Sequence, residues 1–423
     1  MQPSTGVSRR VVVVGGGVAG LAVAYFLRQG GAEVTVVERA GVGAGASAGN
    51  AGWICPAQAG PLPEPGVASY GARALVQRDA PLYIAPGYLP RMVPWLLRFV
   101  RHCNARDHAR GTRALAALGR RAFALTDALA ADDVRFELQR EGMLVVGEAR
   151  DHAEEFLKGL APLRELGFEI AGELMNGAGA RELEPALSEA VTAGVLIGDH
   201  WHVDPTTLTA GLAARLAELG VAIRQDAEVV GFHGRDGQVR EVQTADGAFA
   251  ADDVVLAAGA WTPALARRLG LRVPVRPGKG YSFELLAPRT LRRPLMLLEP
   301  HVAVSPFGDR LRIAGTMEFS GVNERLDHRR IGSIIRGSAR LLPLAAEHEP
   351  TAQWTGMRPI APDGLPIIDR SPRHRNVYLA TAYSMLGITL AAPAGQALAE
   401  MILTGRRPPE LEPFRAKRFW ALR

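Results

Sequence analysis

Three glycines with G-x-G-x-x-G spacing, Gly15, Gly17 and Gly20, follow directly on an unbroken valine run at 11–14, and an acid, Glu38, closes a second apolar run at 32–37. A strand feeding a glycine turn lets the backbone approach a pyrophosphate. The helix that follows offers unsatisfied N–H groups and its positive dipole end to the phosphates, and an acid at the end of the next parallel strand can take ribose hydroxyls. In this scheme Gly15 makes the tight turn, Gly17 permits the close approach and Gly20 lets helix pack on strand. Val18 and Ala19 supply first-turn amides, and Arg39 flanks the ribose acid. A glycine fingerprint alone is weak evidence in a chain with 47 glycines. Strand, turn, helix over 21–29, second strand and terminal acid in register favour a bound dinucleotide over a bare strand-helix turn.

The elements needed to hold such a ligand recur far downstream. Residues 217–223 read as a helix end and a strand start, and the segment 227–232, with Val229 in it, follows. Asp236-Gly237 and Asp246-Gly247 then signal two hairpins around 239–244, which implies a small antiparallel meander. It leads into the buried run 253–257 and the turn at Ala258, Gly259 and Trp261. A three-stranded meander before the return strand suits FAD-binding folds better than simple NAD-binding ones.

With 423 residues, 48% of them hydrophobic and 22% charged, the chain reads as a globular protein of two domains. The formal charge of +6 comes from 49 basic against 43 acidic residues, and lysine occurs only at Lys158, Lys279 and Lys417. The arginines are scattered among acids, which argues against a nucleic-acid partner. Cys55 and Cys103 cannot form a disulfide framework and neither lies in a C-x-x-C, so a reducing compartment is expected and no metal site is. The first eight residues lack an apolar signal core, and no run is long and apolar enough to cross a bilayer. A cytoplasmic protein follows, at most peripheral on a membrane face. Residues 88–101 combine bulky apolar side chains with Arg91, Arg98 and Arg101 and no acid, a mixture suited either to a lipid headgroup boundary or to a core helix with arginines turned to solvent.

The carboxyl-terminal third carries a more specific pattern: Gly356-Met357-Arg358-Pro359, then Pro362-Asp363-Gly364, then residues 376–390 with Tyr383, Gly387, Ile388, Thr389 and Leu390. Together with the glycine fingerprint, the segment holding Ser47, Asn50, Ala51 and Gly52, and the Ala258-Gly259-Ala260-Trp261 turn, this resembles the D-amino-acid oxidase superfamily along essentially the whole chain. The branch it looks most like is that of bacterial D-amino acid dehydrogenases. The resemblance implies non-covalent FAD, since neither cysteine falls in the tail motif where covalent relatives place theirs. It further implies that Gly356 and residues 387–390 meet the flavin, with the amides of a helix start facing the N1–C2 edge where negative charge gathers on reduction. Arg358 would pair with a substrate carboxylate, which a planar guanidinium does well. Tyr281, His301 and Tyr383 are further pocket candidates. Relatives place a carboxylate-binding tyrosine near Val302, which this chain lacks, and Met317 and Glu318 fall where they line the site. Lys279 reads as a turn residue.

The resulting expectation is an α/β fold. A Rossmann-type, glutathione reductase-like FAD domain (1–60, 188–272, 351–423) is interleaved with a sheet-based α+β substrate domain (61–187, 273–350). The implied activity is oxidation of a D-amino acid, D-alanine-like or D-proline-like, by hydride transfer from Cα to the flavin, with a quinone or another electron acceptor. An amine oxidase using oxygen, or a flavoprotein acting in RNA modification, are the alternatives.

Overall fold

The computed structural model describes residues 9–67, 80–287 and 291–419; the polar first eight residues lie outside that range. The valine run forms the strand Arg10–Val14 at the centre of a six-stranded sheet. In order, the strands are Ala222–Arg224, Glu33–Val37, Arg10–Val14, Asp253–Leu256, Val377–Thr381 and Ile367–Arg370. All neighbours pair parallel except the last two. Because side chains alternate along a strand, Val11 and Val13 face one core and Val12 and Val14 another. The first core is filled by the helices Val18–Gln29, Pro205–Glu218 and Gly387–Thr404. The second is covered by the expected meander, Val229–Arg235, Gln238–Thr244 and Gly247–Ala250. Continuous apolar strands are what a parallel sheet buried on both faces requires.

A nine-stranded sheet forms the second layer system. Its core strand, Arg276–Leu286, pairs antiparallel with Arg310–Phe319 on one side and Thr351–Ile360 on the other. The domain limits read from the sequence are displaced here. Ala193–Ile197 and Thr351–Ile360, expected in the nucleotide-binding unit, pair into this larger sheet. The block 61–187 contains the helices Ala105–Gly119 and Ala122–Ala131. Their Leu115, Leu118, Leu125 and Leu129 join Leu21 and Leu390 in the nucleotide-side core rather than the substrate domain. The block 273–350 also contains the helix His328–Ala339, N-capped by Asp327, whose Ile331 and Ile334 cover one face of the sheet. Lys279 is a mid-strand residue, 2% exposed, and no turn residue. Strand partners are chosen by burial across the fold, so a linear division of the chain could not place them.

Candidate active site

The glycine turn is built as its spacing demands. Gly15 adopts φ +115, a conformation that L side chains rarely adopt. A Cβ on Gly20 would lie 1.9 Å from the Gly15 carbonyl oxygen, so only glycine lets the helix seat against the turn. Gly20 thus acts from behind and does not itself line the cavity. Glu38 accepts hydrogen bonds from the Gly16 N–H (2.7 Å) and the Ala40 N–H (3.0 Å), which fixes its carboxylate at the strand end. The Val18 N–H donates to Ser47 Oγ at 3.0 Å, and Ala19 follows in the first turn. Arg39 lies 4.0 Å over the Trp261 ring and pairs with Glu324 at 2.5 Å.

The segment carrying Ser47 to Gly52 is latched to the nine-stranded sheet. Arg312 donates to the carbonyls of Ala48 (2.9 Å) and Asn50 (3.0 Å), and Ser282 Oγ donates to that of Gly49 (2.8 Å). The Asn50 side chain is spent on its own loop, bonding the Ala46 and Ser47 carbonyls and the Gly52 N–H. Its role is to shape that loop, with Ala51 and Gly52 left on the wall.

A single cavity of about 2030 Å³ runs from the glycine turn, past Val229, Ala258, Gly259 and Trp261, to the start of the helix Gly387–Thr404 and on to Arg358. Gly387 and Ile388 line it, and no side chain caps that helix, so its first amides are free to face a ligand. Thr389 and Leu390 bring no side chain to the wall. The Thr389 hydroxyl donates to the Trp53 carbonyl (3.0 Å) and accepts from the Cys55 N–H (3.1 Å), while Leu390 packs into the core. Neither reaches the cavity wall, because side chains two and three residues into a helix turn away from its tip. Burial pushes the Cys55 thiol up to about 11, which keeps it protonated and unreactive at neutral pH. FAD fits this cradle: a glycine turn that a Cβ would fill, a fixed ribose-side carboxylate, and an uncapped helix start at the far end. When bound it supplies a two-electron, hydride-accepting centre.

The substrate end draws on strands of the larger sheet. Arg358, opposite Gly278 in the pairing register, donates to the Thr316 carbonyl at 2.9 Å. Its guanidinium lies where a Cβ on Gly280 would stand 2.2 Å from Nη1. No carboxylate among the described residues pairs with it, and burial lowers its pKa to about 10. Tyr281 donates to Glu318 Oε2 (2.8 Å), and both burial and that bond push its phenol up. Tyr383 is 4% exposed, its hydroxyl has no partner among the described residues, and burial pushes it up as well. The Ser384 hydroxyl is likewise unpartnered. His301 sits at φ +50 beside Val302, its pKa lowered by burial against the opposing pull of Glu299. All four candidates, Arg358, Tyr281, Tyr383 and His301, line the one cavity, as does Gly356. Missed by the sequence reading were Trp354 and Thr316 on the wall and the helix Leu89–His102, whose Trp95, Leu96 and Phe99 close one side.

The comparisons with known proteins agree with this geometry. The family of FAD-dependent oxidoreductases (DAO) matches residues 10–401. A D-amino acid dehydrogenase of Methylobacterium sp. (strain 4-46) is 33% identical over 408 residues, 94% of this chain and 96% of that protein. Glycine oxidase from Geobacillus kaustophilus shares the fold with a TM-score of 0.77 at 24% identity, over 97% of this chain and 99% of that one. L-proline dehydrogenase from P. horikoshii does so with 0.75 at 19%, over 98% of each chain. The chain belongs to the DAO family of FAD-dependent oxidoreductases.

Proposed function

We propose that the protein oxidises a D-amino acid, D-alanine-like or a cyclic D-proline-like acid. Held in the cradle, FAD would supply the hydride acceptor for the Cα–H bond, while the amine lone pair would form the C=N bond and one N–H proton would pass to solvent. The 2-imino acid hydrolyses to a 2-oxo acid and ammonia, while a proline-type substrate gives a cyclic imine. The observation that carries the reading is Arg358: a guanidinium enclosed on the wall of the flavin-sized cavity, without an acidic partner among the described residues, is a charge waiting for a carboxylate. Nearby groups support hydride transfer over base-assisted proton removal. The Tyr281 and Tyr383 phenols are pushed up and so stay protonated. With neither phenol available as a base, these two residues act by positioning, and the substrate amine enters neutral from solvent.

The helix Leu89–His102 supports a membrane-side electron acceptor. One face lines the cavity through Trp95 and Phe99. The other exposes Val93 (45%) and Leu97 (69%) beside exposed Arg91, Arg98 and Arg101, a composition that suits an anionic headgroup surface and a quinone drawn from it. No helix among the described residues is long and apolar enough to cross a membrane.

The test is anaerobic mixing of the yellow holoprotein with D- and L-amino acids. Bleaching of the flavin bands by D-alanine or D-proline is the expected result; bleaching only by amines that lack a carboxylate overturns the reading. Stopped-flow reoxidation then separates acceptors: reoxidation by air as fast as substrate reduces the flavin makes the protein an oxidase and removes the quinone and membrane assignments.

A further inference from the structure

The carbonyl that holds Arg358 belongs to a strained residue. Between the strands Arg276–Leu286 and Arg310–Phe319, Tyr281 faces Gly315 but Lys279 faces Glu318, so one extra residue is inserted on the second strand as a β-bulge. Thr316 lies within it at φ +62. Asp133, Asp226 and Asp236 also have positive φ, which short polar side chains tolerate by bonding their own backbone. Thr316 is the β-branched residue at positive φ among the described residues, and its buried hydroxyl makes no hydrogen bond that would compensate. A conformation of this kind persists only where the surroundings impose it.

Those surroundings are a buried charge cluster just past the bulge. Glu318 accepts from the Tyr281 hydroxyl at 2.8 Å and lies 3.7 Å from Lys279 Nζ and 3.8 Å from Arg330 Nε. Lys279 Nζ is held in turn by Asn323 Oδ1 at 2.9 Å. Glu318, Lys279 and Arg330 are each less than a tenth exposed, so the strand after the bulge is pinned where it is. What the left-handed turn accomplishes is to aim the Thr316 carbonyl at Arg358 Nη1, 2.9 Å away.

We propose that Thr316 is a positioning residue: the bulge, clamped through Glu318, fixes the Arg358 guanidinium so that its remaining N–H edge faces the substrate carboxylate. This rests on the reading of Arg358 as the carboxylate anchor. Its consequence is selectivity for amino acids over amines, set by the backbone of a strand rather than by a side chain that touches substrate.

The test compares Thr316→Gly, Thr316→Val and Glu318→Gln holoproteins in anaerobic flavin reduction by D-alanine and D-proline. Held at positive φ by the clamp, threonine is confined to one narrow well whereas glycine has a broad one, so Thr316→Gly is expected to raise the substrate concentration for half-saturation about tenfold, the scale of one loosened hydrogen bond to a charged group. The melting temperature should not fall, because the strain of a branched side chain at positive φ is released. Thr316→Val keeps the branched shape and should rescue the affinity; Glu318→Gln should weaken it in the same direction as glycine. In an Arg358→Ala background Thr316→Gly should add nothing. Parental affinity in Thr316→Gly overturns the proposal, as does a valine variant as weak as glycine or an added loss in the Arg358→Ala background. Failure of the underlying reading looks different: Arg358→Ala itself would then bind amino acids as the parent does.

Discussion

The two ends of the cavity solve recognition in opposite ways. At the glycine turn the ligand meets backbone, and Glu38, at the end of the very next strand, has its carboxylate fixed by the Gly16 and Ala40 N–H groups. At the substrate end nearly everything is side chain, and it is assembled from remote segments. Arg358, Tyr281 and Thr316 occupy three adjacent strands of the larger sheet, and Tyr383 follows a strand of the smaller one. The first arrangement tolerates no added atom. The second tolerates volume changes but depends on the direction of one guanidinium and on the absence of any acid beside it. Of the five residues other than glycine and aspartate at positive φ among the described residues, His301, Thr316, Ala382 and Ser384 lie at or beside this second end, and Ala352 is exposed at the start of Thr351–Ile360. That pattern fits strain stored where a site must be held against its local preferences.

The contrast is broken most severely at Gly20. Gly20→Ala should yield protein without bound flavin, since the new methyl would meet the Gly15 carbonyl at 1.9 Å and the helix must move off the turn. The absorbance ratio of purified protein reads this directly, and a fully yellow variant would show that the turn can relax. Next in size is Arg358→Ala, expected to lower the efficiency of flavin reduction by D-amino acids about 100-fold or more while FAD stays bound, the scale of a lost bidentate charge-assisted pair. Decarboxylated amines should show no comparable loss, so an equal drop for both would mean that Arg358 merely supports the fold. Glu38→Ala comes third, weakening FAD retention by roughly 1–3 kcal/mol. It also frees the Gly16 and Ala40 N–H groups, and unchanged FAD affinity in equilibrium dialysis would remove Glu38 from the ribose.

A last prediction concerns acid stability and the short strand Trp201–Val203. His202 is 1% exposed, bonds the Pro306 carbonyl through Nε2, and burial lowers its pKa to about 4. The unfolded chain, with an ordinary histidine near 6.5, binds more protons than the native one between those values. Stability is therefore fully present above about pH 6.5 and declines as the pH falls toward about 4, by about 3 kcal/mol for this group. His202→Gln should flatten that stretch of the melting-temperature profile; an equally steep profile would place the acid sensitivity elsewhere, with the neighbouring buried His200 the next candidate.

Legibility in the sequence follows the same division. The valine run, the glycine spacing, Glu38, the two Asp-Gly hairpins and the meander could all be read because each feature is determined by residues near it in the chain. Arg358, Tyr281, His301 and Tyr383 were legible through the resemblance, and the fold brings them to one wall. The misreadings share a cause. Thr389 and Leu390 were grouped with Gly387 and Ile388 because they are adjacent in sequence, yet helical rotation carries one to the Trp53 backbone and the other into the core.

What the sequence determined alone is the nucleotide cradle, because a turn that excludes Cβ atoms and a strand-end acid are local requirements met within a few dozen residues. Tertiary structure decided the rest. Thr351–Ile360 joined the larger sheet and carried Arg358 to Gly278, the register of two strands distant in sequence created the bulge at Thr316, and Glu318 came to rest among Tyr281, Lys279 and Arg330. Strand pairing is settled by which faces can be buried together across the whole molecule, and a one-residue shift in register turns every later side chain to the other face. No local pattern encodes that choice, and the direction of the guanidinium depends on it.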